Sequence, residues 1–180
     1  MKRLFDIIAS GMGLLFLSPI LILVAIWIKL DSAGPVFYRQ VRVGKNNQDF
    51  RIFKFRSMRI GADKGSLVTI GGRDPRVTQS GYFIRKFKID ELPQLINVFV
   101  GDMSLVGPRP ERKEIADQYA KEIPEFPFRL KVKAGLTGYA QVYGKYNTTP
   151  YDKLKLDLYY IQNYSFFLDL KLILLTVKII

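Results

Sequence analysis

The first thirty positions separate charge from apolarity. Lys2, Arg3 and Asp6 come first, residues 7–28 then run for 22 positions without a charge, and Lys29 closes the stretch. That length meets the roughly 20 apolar residues a helix needs to span hydrocarbon. A cleaved leader fits poorly, because no small-x-small site follows and the run is too long for a signal-peptide core. Ser18-Pro19 stands near the middle. Proline has no N–H to give the carbonyl of Leu15 and its ring crowds that carbonyl, so a kink or break is expected there. The Ser18 hydroxyl can satisfy a freed carbonyl inside lipid. Basic residues flank both ends, Lys2 and Arg3 before and Lys29, Arg39, Arg42 and Lys45 after, and cationic flanks prefer the cytoplasmic face. The pattern therefore predicts a re-entrant helix-break-helix over 1–30 that dips into one leaflet and returns, with a buried core helix as the plain alternative.

Beyond it the periods are those of a small α+β domain over 31–180. Residues 36–43 and 49–58 read as two strands around Gly44-Lys45-Asn46-Asn47, a turn-rich hairpin loop. A glycine-bearing loop follows over 61–72, then a helix over 79–88. Residues 90–100 carry apolar positions at Leu92, Leu95, Ile96, Val98 and Phe99, which suits a helix with Pro93 in its first turn. A further helix over 111–123 is ended by Pro124 and Pro127. Thr149-Pro150 with Asp152 resembles an N-cap, and Leu154, Leu158 and Ile161 stripe the helix that follows. In the tail, 166–180, Leu168, Leu172, Leu175 and Ile179 share one face while Lys171 and Lys178 share another, the pattern of a helix in the membrane interface; the alternative is a core helix. The expected architecture is α+β and mostly helical, with a re-entrant membrane segment, a small β-hairpin and amphipathic interfacial helices.

Composition narrows the chemistry. Among 180 residues there are 28 Lys plus Arg, 16 Asp plus Glu, no His and no Cys. Zinc fingers, disulfide scaffolds, thiol nucleophiles and imidazole-based triads are excluded. Any reaction must run on carboxylates, hydroxyls, Lys, Arg and bound metal. The net charge is +12, and residues 29–89, with 14 basic and 4 acidic side chains, supply +10 of it. Such a stretch beside an apolar segment suits anionic headgroups or phosphorylated ligands. Nucleic acid would explain the charge but not the apolar run.

The densest polar cluster is Arg85-Lys86-Phe87-Lys88-Ile89-Asp90-Glu91-Leu92-Pro93-Gln94. Asp90 and Glu91 stand at an expected helix start, where free N–H groups, the macrodipole and three preceding cations favour ionised carboxylates. Ionised carboxylates attack phosphorus or hold metal; a capped helix with a surface ion pair is the structural alternative. Gly107-Pro108-Arg109-Pro110 presents an Arg from a rigid turn, a geometry suited to phosphate. Lys54 and Arg56 alternate on a strand and so share a side. Gly135-Leu136-Thr137-Gly138 is a weak candidate for an anion-binding turn. No Walker A loop and no G-x-G-x-x-G occurs.

These motifs, taken in order, resemble those of the bacterial sugar transferases, monotopic phosphoglycosyl transferases that load a sugar phosphate onto a polyprenyl phosphate. The resemblance rests on Lys2-Arg3-Leu4-Phe5-Asp6-Ile7, Leu17-Ser18-Pro19, Gly34-Pro35-Val36-Phe37 and Lys54-Phe55-Arg56-Ser57-Met58. It continues through Asp74-Pro75-Arg76-Val77-Thr78, Ile84-Arg85, Asp90-Glu91-Leu92-Pro93-Gln94-Leu95, Asn97-Val98, Gly101-Asp102-Met103-Ser104, Gly107-Pro108-Arg109-Pro110, Leu136-Thr137-Gly138 and Asp157-Leu158-Tyr159-Tyr160. It implies Asp90 as the nucleophile on the β-phosphorus of a UDP-sugar, and Glu91, with Asp90, as the holder of Mg²⁺. It also implies Lys54, Arg85 and Arg109 as phosphate-gathering cations, and Asp157 and Asp169 as supporting acids. The partners it implies are a UDP-sugar, polyprenyl (undecaprenyl) phosphate and the cytoplasmic face of the bacterial inner membrane. No nucleic acid is expected, and self-association is left open. Lys133-Ala134-Gly135 stands where many relatives read Arg-Pro-Gly, which removes a bidentate Arg from any nucleotide contact expected there. The rival reading is a non-catalytic membrane-anchored module whose basic face binds anionic lipid or nucleic acid.

Overall fold

The computed structural model describes residues 2–62, 74–145 and 147–179; most of the glycine-bearing loop expected over 61–72 lies outside them. Helix α1 runs from Lys2 to Asp31, with Pro19 inside it. The helical turns continue through Ser18-Pro19, so the expected break is not an interruption of the helix. The local chemistry accounts for this: Pro19 leaves the Leu15 carbonyl without its backbone donor, and the Ser18 hydroxyl donates to that carbonyl at 2.7 Å. At 1.5 Å per residue the helix is about 45 Å long. Its best 18-residue window has a mean hydropathy of 2.4 with 11% of the window buried.

One side of α1 is fastened to the rest of the protein along its length. At its start, Lys2 donates to Asp169 at 2.5 Å and to the Val106 carbonyl at 3.0 Å. Arg3 donates to the carbonyls of Val98 and Phe99. Asp6, buried, accepts from the Ser104 hydroxyl and the Leu105 N–H. In mid-helix Gly11 faces the ring of Phe99 and Gly13 faces Leu95. Toward its end, Val24 and Ile28 join Phe55 and Ile84 in one core cluster. There the Arg56 guanidinium donates to the carbonyls of Ile28, Ser32 and Ala33, closing the helix C-terminus.

Strands β1 (Phe37–Val43) and β2 (Asp49–Phe55) form the expected antiparallel hairpin, with Phe37 opposite Phe55 and Val43 opposite Asp49. Asn46 and Asn47 take positive φ in the one-turn connection Lys45–Asn47, a conformation asparagine tolerates better than most residues. Helix α2 (Gln79–Lys86) is capped by Thr78, whose hydroxyl accepts from the Gly81 N–H. Residues Ile89–Glu91 form a single 3₁₀ turn entered through Lys88 at φ 56°, and α3 (Gln94–Val100) starts only after Pro93. Asp90 and Glu91 thus precede the α-helix rather than opening it. Leu92 and Pro93 both keep helical dihedrals, but Pro93 has no N–H to carry the hydrogen-bond ladder on from the 3₁₀ turn, which suits it to a helix start.

Strand β3 (Ser104–Val106) pairs in parallel with β4 (Gly135–Thr137), a two-stranded ladder the sequence pattern does not announce. Gly107, Gly135 and Gly138 are required for this approach: a Cβ at Gly138 would collide with the Gly107 carbonyl oxygen. The Gly135 N–H donates to the Pro108 carbonyl at 2.9 Å, so the Gly135–Gly138 turn braces the Arg109 turn instead of offering that N–H to an anion. Helices α4 (Lys113–Glu122), α5 (Tyr139–Tyr143), α6 (Pro150–Gln162) and α7 (Phe166–Ile179) complete the domain. Thr149 caps α6 as expected, accepting from the Asp152 N–H. In α7, Leu172 is fully buried and Leu168 packs on the same Val106–Tyr160 cluster, so the stripe begins as a core face, while Ile179 at its end is exposed. The outward face is also apolar, with Phe167, Leu174 and Val177 exposed beside Lys171 and Lys178.

Candidate active site

A cleft of about 540 Å³ opens between the hairpin, the 3₁₀ turn of Ile89–Glu91 and the Arg109 turn. Among the described residues nine basic side chains line it against two acidic ones, Asp90 and Glu91. Lys54, Arg85, Asp90, Glu91 and Arg109 are all on its wall. The five come from four separate parts of the chain: β2, the last turn of α2, the 3₁₀ turn and the turn after β3.

Glu91 is the fixed member of the dyad. It accepts from Arg109 through both oxygens, at 2.5 and 3.2 Å, in a fork-to-fork pair, and from Lys54 at 2.7 Å. Burial pushes its carboxyl up, but the two cations outweigh burial and hold it well below the usual carboxylate range. Asp90 differs. Its side chain is 9% exposed, and among the described residues its carboxylate forms no hydrogen bond or ion pair. Burial raises its pKa, Lys54 pulls it back, and the neighbouring Glu91 charge adds to the rise. The two carboxylates are therefore driven apart, one neutralised by partners and one kept available, whereas the sequence suggests two equally ionised groups. Lys54, half-buried against Glu91, has its pKa lowered by desolvation, with Glu91 opposing.

The positions of these groups are set by local bonds. Asn97, fully buried on α3, accepts from the Phe53 N–H at 2.8 Å and donates to the Arg51 carbonyl at 2.8 Å, so α3 is stitched to the outer edge of β2. That seam fixes the Asp90-Glu91 turn against Lys54. Asp157, expected beside the site, sits one layer behind the cleft wall. Its carboxylate binds buried Arg129 at 2.7 and 2.9 Å, and Arg129 donates to the Arg109 carbonyl at 2.9 Å. Asp169 is farther still: it joins Lys2 and the Tyr160 hydroxyl, 2.6 Å away, and fastens α1 to α7.

Arg56, grouped with Lys54 by strand alternation, lines the cleft but commits its guanidinium to the end of α1. Lys133 is not on the cleft wall; Arg3 lies beside it near Gly101. Several contributors have no role in the sequence reading. Arg129 has the same signal as Arg109, an Arg in a proline-bearing turn, and could have been flagged by it. Asn97 stands in the Asn97-Val98 motif of the resemblance, which gives it no role, and Arg59 and Arg112, on the cleft wall, carry no local signal.

A cation-rich cleft around a buried carboxylate with no bonding partner among the described residues, beside an apolar helix long enough for a bilayer, defines a class of site suited to phosphates. The chain belongs to the bacterial sugar transferase family, which it matches over residues 1–180. It is 44% identical, over 99% of its length, to a UDP-N-acetylgalactosamine-undecaprenyl-phosphate N-acetylgalactosaminephosphotransferase of Aeromonas hydrophila, covering 43% of that protein. It is 43% identical, over 98% of its length, to a UDP-glucose:undecaprenyl-phosphate glucose-1-phosphate transferase of Klebsiella pneumoniae, covering 39% of it. The exopolysaccharide production protein PSS of Rhizobium leguminosarum bv. phaseoli is 40% identical, and there the chain covers 93% of the relative. The chain thus spans about two fifths of the first two relatives and nearly all of the third.

Proposed function

We propose that this protein is a membrane-associated phosphoglycosyl transferase that moves a sugar-1-phosphate from a UDP-sugar to polyprenyl phosphate through a covalent phospho-sugar aspartate. The observation that carries the reading is the Asp90 carboxylate, buried with no hydrogen bond or ion pair among the described residues, in a cleft that nine cations line among the same residues. In the first step an Asp90 oxygen attacks the β-phosphorus. A P–O bond forms, the bond to the bridging oxygen breaks, and UMP leaves with that oxygen. In the second step a polyprenyl phosphate oxygen attacks the same phosphorus, the bond to Asp90 breaks, and the carboxylate is restored with polyprenyl diphosphate sugar as product. Two successive displacements let a water-soluble donor and a lipid acceptor use one site in turn.

Lys54 and Arg109 already converge on one carboxylate, so a phosphate brought to Asp90 meets both cations, and Arg85 lies on the same wall. Mg²⁺ of the kind held by one or two carboxylates plus substrate phosphates fits Asp90, whose carboxylate has no bonding partner among the described residues, and Glu91 would join it by giving up part of its bonds to Arg109 and Lys54. Among the described residues no group of three acidic side chains offers a fuller cage. When bound, the metal would neutralise charge on the diphosphate oxygens.

Membrane attachment on one face agrees with the fastening of α1. Its first residues and its last turn both bind the same domain, an arrangement unsuited to a helix whose ends lie on opposite sides of a bilayer. We read α1 as entering and leaving on the cytoplasmic face of the inner membrane, bending at Ser18-Pro19, with residues 31–180 as the catalytic domain. The transfer would initiate an exopolysaccharide or another glycoconjugate. The test is incubation with radiolabelled UDP-sugars and Mg²⁺. Asp90→Asn should abolish both UMP release and label trapped on the protein, and trapping that survives the substitution would remove Asp90 as nucleophile.

A further inference from the structure

The cations that line the cleft are not equivalent, because several already have partners. Lys54 and Arg109 bind Glu91, Arg76 binds Asp74, Arg42 donates to the Pro110 carbonyl and Arg56 to the end of α1. Arg59, Lys88 and Arg112 have no side-chain hydrogen bond or ion pair among the described residues. A cation of this kind can take an incoming phosphate without giving up a bond. Of these three, Lys88 stands nearest to Asp90 in the chain, with only Ile89 between them. Its charge also reaches the carboxylate: burial raises the Asp90 pKa, while Lys54, Arg85 and Lys88 pull it back.

Lys88 differs from an ordinary surface lysine in its backbone and in its neighbours. It is left-handed, at φ 56° and ψ 16°, a conformation that glycine or asparagine takes at less cost. That bend turns the chain from α2 into the turn that carries Asp90 and Glu91, and the side chain is exposed on the cleft wall. Strain held at such a place argues for a duty of the residue that bears it. A ladder of half-exposed rings leads to it from α1. Trp27 lies 5.4 Å from Phe83, and Phe83 lies 4.8 Å from Phe87, the residue before Lys88. The Lys86 ammonium stands 5.6 Å from the centre of the Phe87 ring. An indole and an ammonium among exposed apolar rings, continuous with a membrane helix, mark the level of lipid headgroups. Lys88 is therefore where that level meets the cleft.

We propose that Lys88 is a catalytic residue of the second displacement, the cation that receives the acceptor's phosphate and holds it for attack on the phospho-sugar aspartate. This duty rests on the transferase reading, which supplies both the acceptor and the intermediate. The two are anionic, so their approach needs a positive charge that the donor phosphates do not occupy. One acceptor oxygen forms the new P–O bond as the bond to the Asp90 oxygen breaks, which restores the carboxylate. The Lys88 ammonium donates to another oxygen of the same acceptor phosphate, and no proton changes hands. Lys54 and Arg109, already gathered at Glu91, serve the donor diphosphate in the first displacement.

The test separates the two displacements in the detergent-solubilised chain, at a pH on the alkaline side of the Asp90 titration. Label from a radioactive UDP-sugar is first trapped on the protein without lipid, and polyprenyl phosphate is then added to chase it off. Lys88→Met should trap label at a rate close to wild type yet need about tenfold more polyprenyl phosphate for half-maximal chase, the loss of one charge-assisted hydrogen bond. Lys88→Asn, which suits a left-handed backbone, should do the same and covers the case in which Lys88→Met does not fold. Lys88→Arg keeps the charge and should chase like wild type. Folded Met and Asn variants with a wild-type chase would overturn the proposal. So would a parallel loss of trapping, which would assign Lys88 to the donor or to the shape of the turn, or an Arg variant as impaired as Met. Failure of wild type to trap any label would instead defeat the transferase reading. Equilibrium binding of polyprenyl phosphate to wild type and Lys88→Met, without donor, would still decide the duty of Lys88.

Discussion

The Asp157–Arg129 pair makes a sharp quantitative prediction because its members are almost fully buried, at 1% and 5% exposure. Replacing Asp157 with Ala leaves the Arg129 guanidinium buried, without its carboxylate. Breaking one side of a buried ion pair costs ~3–5 kcal/mol. For a domain of 150–250 residues each kcal/mol is worth about 2–4 °C in Tm, so Asp157→Ala should unfold about 6–20 °C below wild type. Circular dichroism melts of the detergent-solubilised protein measure this. Because Arg129 also holds the Arg109 carbonyl at 2.9 Å, the substitution should weaken UDP-sugar use even at temperatures where the protein is folded, while label is still trapped on Asp90. The double variant Asp157→Leu with Arg129→Met removes both charges and should recover much of the lost Tm, since apolar replacement of a buried pair is often neutral or stabilising. Recovery of Tm without recovery of UDP-sugar KM would separate the stability role from the positioning role. An Asp157→Ala melt within about 2 °C of wild type would refute the reasoning, as it would mean the pair contributes nothing net.

Other expectations follow from the same geometry. The raised Asp90 pKa places the acid limb of UMP–UDP-sugar exchange above the ordinary 3.8 of an aspartate, since the nucleophile is lost as pH falls through its folded value. Lys54→Met removes a cation that lowers this pKa, so the limb should move to still higher pH; a pH–rate profile that shifts downward or stays in place would contradict the assignment. Gly138→Ala drives a Cβ into the Gly107 carbonyl oxygen and should disrupt the β3–β4 ladder, seen as lost soluble yield or a lowered Tm. The chain has no cysteine, so Leu4→Cys and Leu30→Cys each introduce a sole thiol at an exposed position. Both should react with an impermeant reagent from the cytoplasmic side of inverted vesicles, and labelling from opposite sides would sink the one-face topology.

Much of the local structure could be read along the chain because it depends on neighbours in sequence. The hairpin, the Thr149 cap, the proline-terminated α4 and the long apolar α1 all follow from period, capping chemistry and proline placement, which act over a few residues. The same holds for the Asp90-Glu91 cluster and for Arg109 in its turn, where residue type and spacing carry the signal. The tail helix shows the limit of periodicity. Its apolar stripe was legible, but the stripe at Leu168 and Leu172 is the core side, and a pattern of two apolar faces cannot say which one meets protein.

What tertiary structure decided is which charges become partners. The adjacent carboxylates Asp90 and Glu91 look equivalent in sequence, yet Glu91 is bound by Lys54 and Arg109 while Asp90 is buried with no such partner among the described residues. That difference arises from groups 18 and 37 residues away from Glu91. In the same way Asp157 and Asp169 became braces of Arg129 and Lys2, across 28 and 167 residues of chain. Desolvation and Coulomb terms depend on distance through space, and a buried group's environment is assembled from chain segments that no local pattern connects. Sequence alone determined which chemistry was available to this protein, carboxylates and cations without imidazole or thiol. The fold decided which of the two adjacent carboxylates the cations bind, because Lys54 and Arg109 reach Glu91 from distant parts of the chain.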